Sequence, residues 1–276
     1  MPFTEEISFQ GFSTTRLAIV GVPIDENSSF MEGTRLAPQA IRDALHSDSS
    51  NMCAENEVDL SKNISWLDVG DLELEEGEKA IRQVSDDINT LLEKDVKIIS
   101  LGGDHSITYP VVKAYAQRYP NLTILHLDAH PDLYDDFEEN PYSHASPFAR
   151  IMEANLAQRL VQVGIRTMNP HQRDQAKRFG VEIIPMKDWQ GQLFKNFSNP
   201  LYLSIDLDVL DPAFAPGVSH HEPGGMNTRE LISIIQNLKA NIVGADIVEL
   251  NPKRDHGGVT AMIAAKLLKE LMAKML

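Results

Sequence analysis

Eight short apolar stretches punctuate the chain: Arg16–Val22, Ser65–Gly70, Val96–Leu101, Leu122–Asp128, Leu160–Ile165, Val181–Met186, Leu201–Asp208 and Val243–Leu250. Several are almost continuous in Val, Ile and Leu, as expected of strands covered on both faces. Between them the period changes. Ile81, Val84, Ile88, Leu91 and Leu92 fall on one face at helical spacing. Ser146-Pro147 predicts a capped start for a helix over Phe148–Leu156. Thr228 is placed to cap a helix carrying Leu231, Ile234, Ile235 and Leu238. Val259–Leu276 is amphipathic through Met262, Ile263, Leu267, Leu271 and Met275. Strands alternating with helices predict a parallel sheet with right-handed crossovers. No repeat or linker interrupts the pattern, so residues 1–276 read as one domain. His46–Ser61, rich in Ser, Asn and Asp, reads as a surface excursion.

Four of these strands end in polar residues that apolar packing does not explain. The third runs into Gly102-Gly103-Asp104-His105-Ser106. The fourth runs into Asp128, His130 and Asp132, spaced by two, which puts them on one side of an extended chain. The seventh carries Asp206 and Asp208, and the eighth releases Glu249. Ligands in open α/β sheets bind beyond the carboxyl ends of the strands. If these groups converge, strands three, four, seven and eight must be spatial neighbours. Two histidines and four aspartates carry too much charge for one ion, whereas two divalent cations match four carboxylates. A shell of oxygen and some imidazole without thiolate suits Mn²⁺, with Fe²⁺, Co²⁺ and Ni²⁺ as alternatives; zinc more often takes Cys or a His-rich set. Two metals ~3.5–4 Å apart activate a shared water near neutral pH, so the expected chemistry is hydrolytic.

Composition narrows the classes. The 276-residue chain is 42% hydrophobic and 24% charged, ordinary for a globular protein. Its net charge of −15 disfavours nucleic acid and anionic membranes. No apolar run reaches the ~20 residues that span a bilayer. The start, MPFTEEISFQGF, lacks the basic-then-apolar order of a secretory signal. A single cysteine, Cys53, excludes a disulfide framework and points to a reducing, cytoplasmic location.

The segments GGDHS, DAHPD, SIDLDVLDP and VELNP resemble the signatures of the ureohydrolase family, the arginases and agmatinases. The resemblance extends to GVPIDENSSFMEGTRLAPQAIR and so covers nearly the whole chain. YSHASPFARIME, DPAFAPGVSHHEPGG and NPKRD resemble plant-type arginases most. It implies a three-layer α/β/α fold around a central, mostly parallel eight-stranded sheet, and a dimanganese site. One metal would take His105, Asp128, Asp132 and Asp206. The other would take His130, Asp128, Asp206 and Asp208, with Asp128 and Asp206 bridging. His144 matches the family's flexible-loop histidine, a proton shuttle, and Glu249 the carboxylate that grips a guanidinium group. The implied catalytic groups are therefore His144, Asp132 and Glu249. A trimeric or hexameric homo-oligomer is also implied.

Substrate choice is less determined. Tyr134 stands where animal arginases carry Asn, and Asn169, three residues after Arg166, stands where they carry the Asp that holds the α-amino group. Tyr134 and Glu222 join Glu249 and His144 as candidate substrate-binding residues. His220 and His221 either line the channel mouth or are solvated loop histidines. The plant-type likeness favours L-arginine; agmatine or another guanidino acid is the alternative. A single-zinc deacetylase-like amidohydrolase is the runner-up from a different chemistry, and a non-catalytic metal-binding subunit the reading without an enzyme.

Overall fold

Each apolar stretch becomes a strand in the computed structural model, which describes residues 14–193 and 195–276. The N-terminal stretch that argues against a secretory signal lies outside them. The strands are β1 (Leu17–Val22), β2 (Trp66–Asp71), β3 (Lys97–Gly102), β4 (Thr123–Leu127), β5 (Arg159–Ile165), β6 (Glu182–Pro185), β7 (Leu201–Asp206) and β8 (Ile242–Val248). They form one sheet in the order β2-β1-β3-β8-β7-β4-β5-β6, with every pairing parallel. The four strands with polar ends, β3, β8, β7 and β4, are consecutive in that order, as convergence of their chemistry requires. The edge strands β2 and β6 contain no fully buried residue, whereas β7 and β8 are buried throughout.

Among the described residues seven helices cover the sheet: α1 (Ala37–Leu45), α2 (Glu78–Leu92), α3 (Thr108–Arg118), α4 (Pro147–Glu153), α5 (Pro170–Phe179), α6 (Thr228–Asn237) and α7 (Val259–Met275). Strand side chains alternate between two cores. Leu17 and Ile19 of β1 pack with Ile41 of α1, Ile235 of α6 and Leu268 of α7. Ala18, Val20 and Val22 pack on the other face with Val84 of α2, Val111 of α3, Ile151 of α4 and Ala176 of α5. The three-layer arrangement follows from that alternation.

Three local expectations change. Asn227, not Thr228, caps α6: its Oδ1 accepts from Glu230 N at 2.9 Å, and Glu230 Oε2 accepts from Asn227 N at 2.9 Å. This reciprocal box needs Glu or Gln three residues past the cap; three past Thr228 stands Leu231. Ser146 precedes α4, but its side chain makes no capping bond. The His46–Ser61 excursion is mostly exposed, yet Ala54 and Leu60 are buried.

Candidate metal centre

The polar groups are aimed by turns, not by pleating. β4 ends at Leu127, so Asp128, His130 and Asp132 lie beyond it, and β7 ends at Asp206. At each end an aspartate accepts the N–H two residues ahead: Ser106 N donates to Asp104 Oδ1 (3.0 Å), His130 N to Asp128 Oδ1, and Asp208 N to Asp206 Oδ1 (2.8 Å). Such Asx turns bend the chain so that residues i and i+2 face one space. The spacing of two in the sequence is therefore a turn spacing, which corrects the extended-chain explanation. Asp132 (φ 49°) and Glu249 (φ 67°) adopt left-handed backbone that few non-glycine residues hold without strain. Gly103 sits against Ile24, where a Cβ would strike the Ile24 carbonyl. Its own carbonyl receives the Glu249 N–H at 3.0 Å.

Two clusters result. His105 Nδ1 lies 3.1 Å from Asp128 Oδ2, 3.0 Å from Asp132 Oδ2 and 3.2 Å from Asp206 Oδ2. His130 Nδ1 lies 2.9 Å from Asp208 Oδ2 and 3.5 Å from Asp128 Oδ1. Asp128 thus turns one oxygen to each cluster. The His105 side chain is fully buried, while that of His130 is 27% exposed.

The arrangement fits a cation. His105 Nδ1 is buried without a hydrogen-bond partner although three carboxylate oxygens surround it. Ser204 Oγ donates to Asp246 Oδ1 (2.7 Å) and lies 2.9 Å from His105 Nε2. A carboxylate only accepts, so the serine proton goes to Asp246 and His105 Nε2–H donates to Ser204. In the neutral ring the Nδ1 lone pair then points at the carboxylates, the tautomer a metal ligand needs. Burial, with Asp208 and Asp128 alongside, holds Asp206 well above the usual carboxylate range; burial and Asp128 push Asp208 up to about 6. Like charges packed without water need a compensating cation.

A cavity of about 210 Å³ opens over the clusters. His130, Asp132, Asp206, Asp208 and Glu249 line its floor; Tyr134, Thr167, Asn169, Gln172, His144 and His220 line its walls. His144 is buried rather than solvated. Its Nδ1 lies 2.9 Å from Glu249 Oε1 and its Nε2 2.8 Å from Ser29 Oγ. Burial lowers its basicity, but Glu249 and Asp104 outweigh this and raise it to about 9. The Ser29 amide, 3.2 Å from Nε2, favours the neutral ring instead; the charge-assisted bond to Glu249 is the stronger influence. Glu249 Oε1 also accepts from His105 N at 2.9 Å, which leaves Oε2 for a ligand.

Not every candidate arrives. Glu222 is not among the residues lining the cavity; its carbonyl accepts from Arg166 Nε at 2.8 Å, and Arg166 also holds the carbonyl of Asp208 at 2.6 Å. His220 faces the cavity with its ring 5.1 Å from that of His144, whereas His221 bonds Pro216 and Arg254 outside it. Residues without a sequence expectation also belong here. Ser29 reaches His144, and His126 Nε2 lies 2.7 Å from Asp128 Oδ2. His126 carried a signal, since it opens the same spacing of two: His126, Asp128, His130, Asp132.

Comparison with known proteins agrees with this architecture. The arginase family model matches residues 15–274. Arginase 1, mitochondrial, of Arabidopsis thaliana is 45% identical over 98% of this chain and 84% of that protein. An agmatinase of Bacillus cereus is 32% identical over 96% and 93%. Among solved structures, arginase from Medicago truncatula superposes with a TM-score of 0.89 at 44% identity, covering 95% of this chain and 88% of that one. The agmatine ureohydrolase of Thermoplasma volcanium gives 0.79 at 30% identity, covering 96% and 91%. With its sheet order, its polar strand ends and a match over nearly its full length, this chain belongs to the arginase family, hydrolases that act on guanidino groups.

Proposed function

We propose that this chain binds two Mn²⁺ ions and hydrolyses L-arginine to L-ornithine and urea. The observation that carries the reading is the shared carboxylate: Asp128, fully buried, presents one oxygen to the His105 cluster and the other to the His130 cluster, and His130, Asp132, Asp206, Asp208 and Glu249 around it line the cavity. His105, Asp128, Asp132 and Asp206 would hold one ion; His130, Asp128, Asp206 and Asp208 would hold the other. When bound, such a pair supplies a water activated near neutral pH and charge to stabilise a developing oxyanion.

The protein's own groups supply the rest. Glu249 Oε2 accepts N–H groups of the planar guanidinium and presents its central carbon to the floor. Asp132, which lines the cavity, would pass a proton to the leaving amine, and His144, charged beside Glu249, would exchange protons between that site and the mouth. Asn169 Nδ2 donates to Tyr134 Oη at 2.7 Å, which leaves the phenol proton free to donate into the cavity. That suits a substrate carboxylate. A single-zinc deacetylase-like site would leave His105 and Asp132 surplus, yet both face the shared cluster at 3.0 Å.

Agmatine is the second reading, because Asn169 offers no negative charge to an α-ammonium group. Side-by-side kcat/KM values for arginine, agmatine and 4-guanidinobutyrate on the Mn²⁺-loaded protein test the choice. Preference for agmatine would replace the first reading with the second. A trimeric or hexameric assembly belongs to the same proposal. So does a cytoplasmic location, supported by the single, unpaired Cys53, although the plant relatives are named mitochondrial or chloroplastic. Among the described residues no helix is long and apolar enough to cross a membrane.

A further inference from the structure

A buried polar row crosses the sheet beneath the cavity floor. Gln162 of β5 is in register with His126 of β4, His126 with Ser204 of β7, Ser204 with Asp246 of β8, and Asp246 with Ser100 of β3. All five side chains are fully buried. Five polar residues side by side in the interior of a parallel sheet are costly unless they are paired; among the described residues Ser100 Oγ and Gln162 Oε1 have no hydrogen-bond partner, and the remaining polar atoms of the row are bonded toward the cavity floor. One end of the row has its purpose already: Asp246 and Ser204 set the tautomer of His105, and Thr108 and Tyr202 each donate to Asp246 at 2.8 Å.

The other end repeats the logic on a different target. Gln162 Nε2 lies 2.6 Å from Pro131 O and 3.0 Å from His126 Nδ1. A carbonyl only accepts, so the amide nitrogen, not the oxygen, must face Pro131. Its second N–H then donates to His126 Nδ1, which must carry a lone pair. The proton of the neutral ring is thereby placed on Nε2, 2.7 Å from Asp128 Oδ2. Phe148 stacks on the imidazole with centroids 3.9 Å apart and fixes its plane. Both ring nitrogens are spent, so His126 is no metal ligand despite standing among His105, Asp128 and Asp132.

We propose that His126, its tautomer set by Gln162, is a positioning residue: it donates to Asp128 Oδ2 from beneath and fixes the carboxylate so that its two oxygens serve the two clusters. The proposal rests on the two-cation reading above. Partners that orient a ligand in this way typically contribute 10–100-fold to metal affinity.

The test titrates the metal-free full-length protein with MnCl₂, reading affinity and stoichiometry by calorimetry and the bridged pair by low-temperature electron paramagnetic resonance. Wild type is expected to bind two Mn²⁺. His126→Phe keeps a ring against Phe148 but has no donor; it should bind roughly 10–100-fold more weakly, with an altered spin-coupled spectrum. His126→Gln, which restores an N–H near the same point, should recover most of the loss. Gln162→Leu leaves the imidazole in place but frees its tautomer, and should lose about 10-fold or less. If His126→Phe does not fold, as judged by near-ultraviolet circular dichroism, Gln162→Leu decides: unchanged affinity and spectrum overturn the proposal. His126→Phe binding like wild type also overturns it and leaves the two-cation reading intact. Loss of one whole ion without rescue by Gln would make His126 a ligand and overturn it too. A wild-type protein that takes up no Mn²⁺ removes the two-cation reading and this proposal together.

Discussion

The floor of the cavity and its outer wall are built on opposite principles. At the floor and just beneath it, Asp128, Asp132, Asp206 and Asp208 stand with His105 and His130, and His105 Nδ1 is left without a hydrogen-bond partner. On the outer wall, away from His144, Asn169 and Tyr134 are neutral side chains bonded to each other. Asn169 Oδ1 accepts from Gln172 N at 2.9 Å, and its Nδ2 donates to Tyr134. Unmet electrostatic demand calls for ions and supports bond cleavage. The neutral pair of Asn169 and Tyr134 offers only a few directional hydrogen bonds and can do no more than choose among tails. The comparison teaches that changes to the floor should alter metal content and turnover, whereas changes to the wall should alter preference.

The largest effects test the floor. Asp128→Ala and Asp206→Ala should each abolish urea release and reduce bound metal, beyond the roughly 100-fold upper end for an outer-shell partner. Metal analysis beside a urea assay checks this, and retention of both ions with full turnover breaks the comparison. Next, Glu249→Gln removes the charge facing the guanidinium. It should lower kcat/KM by roughly 10²–10³-fold, as for a lost buried charge pair, with metal content unchanged.

His144→Ala sits between floor and wall. It should lower kcat by roughly 10²-fold without releasing metal, consistent with a lost proton-transfer group. It also carries a pH signature. Pairing with Glu249 raises the histidine to about 9 in the folded chain, against an ordinary value near 6.5. The resulting stability is fully present below about pH 6.5 and is lost as pH rises through about 9. The Tm gap between metal-free wild type and His144→Ala should therefore shrink over that window. A gap that widens with pH contradicts the pairing.

The smallest effects belong to the wall. Tyr134→Phe removes one donor and should shift the arginine-to-agmatine ratio of kcat/KM by about 5–10-fold, the value of a single hydrogen bond, with metal content unchanged. A loss of metal in this variant would erase the distinction between the two regions.

The same division governs what could be read from the sequence. All eight strands were legible because each carries a short apolar run, several of them nearly unbroken, and the adjacency of β3, β8, β7 and β4 was legible because separated acids had to meet. His105, Asp128, His130, Asp132, Asp206 and Asp208 stood out as candidates because apolar packing gives no reason for so many charged groups where strands end. His126 was not singled out, although it shares their spacing. Its role depends on lying beside Gln162, and that register exists only once β4 pairs with β5. The Asx turns were masked for a similar reason, since a spacing of two suits a turn as well as a pleat. Glu222 read as a substrate-binding residue, but it is its carbonyl that is held, by Arg166, and backbone roles leave no trace in side-chain identity.

The number of ions held at the floor decides whether Asp128 is shared between two cations. Equilibrium dialysis of the metal-free protein against MnCl₂, followed by elemental analysis, should find two manganese per wild-type chain and less than one per Asp128→Ala chain. A single ion in the wild type, or two in both proteins, contradicts a centre built around that shared carboxylate.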